Sequence, residues 1–82
     1  MAEKPILFVT DTCPVCNDTK AMLAPEIELG KIELVEASTP KAKDIVRQVP
    51  IKEVPECIVM VNGKYQRCDI EKLMDDAVNG RL

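Results

Sequence analysis

The chain has 82 residues, 46% of them apolar and 30% charged. That mixture predicts one small globular domain and argues against wholesale disorder or a second core. There is no histidine, which excludes Ser-His-Asp and Cys-His catalysis and any zinc site that needs an imidazole. A formal charge of -3 and an aromatic content of 2%, Phe8 and Tyr65, count against nucleic acid and against an anionic membrane surface.

In chain order, Ile6 to Val9 is a short apolar run flanked by Pro5 and by Thr10-Asp11-Thr12. Apolar on both faces, it predicts a central buried strand. Cys13 then stands in a cap position before Pro14, which suits a first helical residue. The helix is expected from Pro14 to about Ala24, burying Val15, Thr19, Met22 and Leu23, with an end or kink at Pro25. After Gly30, Lys31 to Ala37 alternates as a second strand. Thr39-Pro40 opens another helix, with Ala42, Ile45, Val46 and Val49 at helical spacing. Pro50 and Pro55 bracket a loop, and Cys57 to Val61 predicts a third strand. Asn62-Gly63 is a favoured two-residue hairpin turn, returning along Lys64 to Cys68. Asp69 caps a last helix with Ile70, Leu73, Met74, Ala77 and Val78 on one face, closed by Gly80.

The resulting order, β-α-β-α-β-β-α, implies an α/β fold with a four-stranded mixed sheet and helices on both faces. Its first two strands are parallel and its last two form an antiparallel hairpin. No apolar run reaches the length of a membrane span, and the run before Cys13 is too short for a signal-peptide core. The expected setting is therefore cytoplasmic, without membrane association. Cytosolic thiols are held reduced, so a structural disulfide framework is not expected for the four cysteines. No exposed apolar stripe demands a partner, and a monomer is the expectation.

Cys13-Pro14-Val15-Cys16 lies between a buried strand and a helix start. This spacing brings two sulfurs within disulfide reach, one helical turn apart. Cys13, at the cap, feels the partial positive charge of the helix end, which favours a thiolate nucleophile. Cys16, inside the first turn, is less exposed and suited to resolving a mixed disulfide on Cys13. Cys57, inside a strand, reads as a small hydrophobe. Cys68 stays open between a third thiol near the active site, able to pair under oxidation, and a buried neighbour of the cap. Asp69 is first a helix cap, and Lys20, one turn beyond Cys16, is first a surface residue.

The run from Thr12 to Leu23, TCPVCNDTKAML, resembles the active-site stretch of glutaredoxins, where T-C-P-Y-C is followed by a lysine four residues on. Val54-Pro55 before the third strand and Cys68-Asp69 before the last helix are similar too. The likeness extends over essentially the whole chain. It implies a thioredoxin-like fold of glutaredoxin type, in which this proline is cis and faces the CxxC. It also implies a thiol-disulfide oxidoreductase with Cys13 and Cys16 as the catalytic pair. By the same resemblance Thr12, Pro14, Val54 and Pro55 position substrate, and Arg67, Cys68 and Asp69 are contacts for glutathione or substrate. The implied partners are disulfide-bearing proteins, with glutathione or a thioredoxin reductase as electron source. No bound cofactor is required, and glutathione serves as co-substrate.

Several residues depart from the family pattern. Val15 replaces tyrosine, Thr10 and Asp11 stand where a positive residue often precedes the first cysteine, Glu53 replaces a threonine, and Gln66-Arg67 replaces Gly-Gly. These departures touch glutathione binding more than dithiol chemistry, and they suit small carriers recharged by a thioredoxin reductase. Two other classes remain. A metal or iron-sulfur module would need more than the one close-spaced couple present here. A pure interaction domain would leave the CxxC and Val54-Pro55 without a role.

Overall fold

A computed structural model describes residues 4–82. Seven elements follow in order: β1 (Ile6–Val9), α1 (Pro14–Glu28), β2 (Glu33–Glu36), α2 (Pro40–Gln48), β3 (Glu56–Val61), β4 (Lys64–Cys68) and α3 (Ile70–Val78). This is the predicted order, with strand ends moved by one or two residues. The sheet runs β2-β1-β3-β4. β1 pairs parallel with β2 and antiparallel with β3, while β3 and β4 form the antiparallel hairpin.

All four residues of β1 are buried, because β1 is an inner strand with helices on both faces of the sheet. On one face Leu7 and Val9 pack with Cys16 and Leu23 of α1, Cys57 of β3, and Leu73 and Ala77 of α3. On the other, Ile6, Phe8, Val35 and Ile58 meet Ala42 and Ile45 of α2. Alternation along each strand thus divides the apolar residues between two cores. Val54 touches both. Among the described residues, no helix is long and apolar enough to cross a membrane.

Capping follows the sequence closely. Thr39 accepts the Ala42 N–H at its Oγ1, at 3.3 Å. Asp69 accepts from the Glu71 and Lys72 N–H groups at 3.0 and 3.3 Å. Asn62 and Gly63 both have positive φ, 54° and 81°, the backbone that a two-residue hairpin turn of the primed type requires.

Helix α1 departs from expectation in two ways. It continues through Pro25 to Glu28, and the last turn is closed by the Leu29 N–H, which donates to the Pro25 carbonyl at 3.0 Å. The extra turn carries Ile27 onto the core. Its buried residues are Cys16, Thr19 and Leu23, while Val15 and Met22 are 59% and 50% exposed. Thr19 and Leu23 are thus buried as expected, while Cys16 joins the stripe and Val15 and Met22 fall outside it. Val46 and Val78 are likewise exposed, since short helices on a small sheet bury only a narrow stripe.

Candidate active site

The loop from Thr10 to Cys13 leaves the end of β1 and delivers the chain to the start of α1. Cys13 is the N-cap residue, in extended backbone conformation, and Pro14 opens the helix. Proline needs no acceptor there, so the first turn is made without loss. In place of the usual cap oxygen, Cys13 offers sulfur: its Sγ accepts the Cys16 backbone N–H at 3.0 Å. An N–H directed at sulfur at the positive end of a helix is the contact that a developing thiolate needs.

Cys13 is half-buried and Cys16 fully buried. Both are free thiols. Burial in the apolar core pushes the Cys16 thiol above its ordinary value of 9.0, the neighbouring Cys13 raises it further, and hydrogen bonding at Thr10 acts in the opposite sense. Thr19, the other polar residue in this stripe, is satisfied because its hydroxyl donates to the Val15 carbonyl at 2.9 Å.

Val54-Pro55 meets this helix start from β3's side. The Val54–Pro55 peptide bond is cis, and the Cys13 thiol donates to the Val54 carbonyl at 3.7 Å. Two segments separated by some forty residues therefore meet at one sulfur. Thr12, Pro14 and Val15 are exposed around it, and Val54 and Pro55 are half-buried.

The other expected contacts fall in two places. Cys68 packs against the same core as Cys13, and Asp69 follows it as the α3 cap. Arg67 lies opposite Ile58 in the β3–β4 register, and Ile58 belongs to the α2 face of the sheet. There the Arg67 guanidinium donates to the Pro50 carbonyl and lies 3.9 Å from the Glu56 carboxylate. Its charge is already engaged on the side away from Cys68.

Cys57 requires a correction. It is buried as expected, yet it is not merely a small hydrophobe: it is disulfide-bonded to Cys68, with Cα atoms 4.9 Å apart. The expectation of no structural disulfide fails for a reason present in the sequence. Asn62-Gly63 as a two-residue turn places the fifth residue before it opposite the fifth after it, and these are Cys57 and Cys68. Among the described residues, no group of three or more Cys, Asp or Glu side chains is placed to hold a metal ion.

No protein-family model and no curated protein matches the chain. Solved structures do. A malarial protein is 18% identical, with 95% of this chain and 94% of that one covered and a TM-score of 0.55. A thioredoxin from Thermus thermophilus, determined in solution, is 12% identical over 95% of this chain and 72% of that one, with a TM-score of 0.52. At such identities the likeness is one of fold. Together with the mixed four-stranded sheet and its flanking helices, it identifies the architecture as an α/β, thioredoxin-like fold.

Proposed function

We propose that the chain is a thiol-disulfide oxidoreductase of glutaredoxin-like type, working through Cys13 and Cys16. The observation that carries this reading is the pairing of a half-buried cap sulfur, receiving a backbone N–H, with a fully buried thiol one turn behind it.

In the first step the Cys13 thiolate attacks one sulfur of a substrate disulfide. The substrate S–S bond breaks, and the departing thiolate takes a proton. In the second step Cys16 gives up its proton and attacks Cys13 Sγ, forming the Cys13–Cys16 disulfide and expelling the other substrate sulfur as a thiolate. Two electrons pass to the substrate. The raised thiol of Cys16 suits this order, since it keeps the second sulfur protonated while Cys13 makes the first attack. Thr12, Pro14, Val54 and Pro55 surround the attacking sulfur and position a peptide-borne disulfide, with exposed Val15 adding apolar surface. Cys68, which packs against the same core as Cys13, and Asp69 beside it are the proposed further contacts for substrate or glutathione. Arg67 reaches a substrate carboxylate only after leaving its present partners.

Electrons return to the pair from glutathione or from a thioredoxin reductase. The working setting is cytoplasmic and the working form a monomer, with no bound cofactor. The test is reduction of a disulfide-bearing protein at the expense of NADPH, through either glutathione with glutathione reductase or a thioredoxin reductase. Wild type is expected to turn over with one of these couples, and Cys13→Ser to lose about two orders of magnitude or more. Full activity in Cys13→Ser would contradict the assignment.

A further inference from the structure

We propose that the Cys57–Cys68 disulfide is a second exchange site, opened by an external dithiol that enters from the groove between the sheet edge and α3. It goes beyond the Cys13–Cys16 pair and does not depend on it.

The bond is not sealed in the core. It forms part of the wall of a surface groove of about 400 Å³, together with Val59, Asp69, Lys72 and Leu73. The two sulfurs differ in access: Cys57 is 1% exposed, whereas Cys68 is half-buried at the end of β4. Cys68 is therefore the sulfur that an incoming thiolate reaches. It sits immediately before the α3 N-cap, and the groove sets the Lys72 ammonium beside the carboxylates of Asp69 and Asp76, so it is access rather than local charge that selects Cys68. Nor does the hairpin depend on the bond for closure. The Asn62-Gly63 turn and five paired positions already hold β3 against β4.

In the exchange, a thiolate of the dithiol bonds to Cys68 Sγ, the Cys57–Cys68 bond breaks, and Cys57 leaves as a thiolate that takes a proton. The second thiol of the dithiol then displaces Cys68, which is protonated in turn, and the reagent departs as its own disulfide. The cystine gains two electrons and the dithiol loses two. The chain then holds two separate two-electron couples packed against one core.

The experiment uses the full chain as Cys13→Ser/Cys16→Ser, so that loss of the first site does not bear on the second. The protein is equilibrated in graded reduced and oxidised dithiothreitol, trapped with a maleimide and weighed, with circular dichroism followed in parallel. The expected result is one two-thiol transition with native ellipticity retained. Two outcomes overturn the proposal: opening only as the protein unfolds, or both cysteines free even in oxidising buffer. If the double variant does not fold, peptide mapping of Cys57 and Cys68 in wild type separates the same outcomes. For the route, the further variant Cys57→Ala leaves Cys68 to react with hydroxyethyl disulfide at least about tenfold faster than Cys57 reacts in Cys68→Ala. Equal or reversed rates would overturn attack at Cys68.

Discussion

The Cys16 thiol has no contact with water, and the chain places it there by a local choice, the cap-plus-proline start of α1. Burial favours its protonated form, so its folded-state value lies above 9.0. The stability this contributes is fully present below the ordinary thiol value and is lost as pH rises through the folded value. Denaturant titration of the protein with Cys13 and Cys16 reduced, between about pH 8 and pH 10.5, is expected to show stability falling at the alkaline end. A Cys16→Ala variant should lack that slope; an identical slope would remove burial of Cys16 as its cause. The placing of Cys13 at the α1 cap and of Cys16 in a less exposed position within the first turn is legible from spacing alone. The pairing of Cys57 is not, even though the hairpin turn that dictates it is plain, because pairing emerges only when register is carried along both strands.

At the scale of elements, caps are the most legible features and burial stripes the least. Cys13, Thr39 and Asp69 cap as the sequence predicts, since each is a local interaction between one side chain and the next turn. Asp69→Ala removes an acceptor from two backbone N–H groups and should lower stability by about 1 kcal/mol, measured by urea denaturation. No change would mean that water replaces the cap. The edge of the α1 stripe cannot be set locally, because Val15 and Met22 flank the buried Cys16, Thr19 and Leu23, and only contact with the sheet and α3 decides which flank is covered. The consequence is a contrast in cost. Leu23→Ala, at a fully buried site, should destabilise by about 2–5 kcal/mol, whereas Met22→Ala should stay within about 0.5 kcal/mol. Similar losses at the two positions would contradict this edge of the stripe.

The whole molecule is a thin sheet with separate apolar cores on its two faces. One holds every cysteine, and the other is built on α2. Topology is legible because β-α-β and hairpin connections each allow few arrangements. How the four sulfurs gather on one face is not, since that depends on which way alternate residues of β3 and β4 point. That gathering puts the central claim, attack through Cys13, within reach of one decisive measurement. A Cys16→Ser variant is incubated with a disulfide-bearing peptide, and the trapped adduct is located by mass spectrometry of its proteolytic fragments. The expected product is a stable mixed disulfide on Cys13. An adduct absent from Cys13, or found on another cysteine instead, would contradict attack through that sulfur.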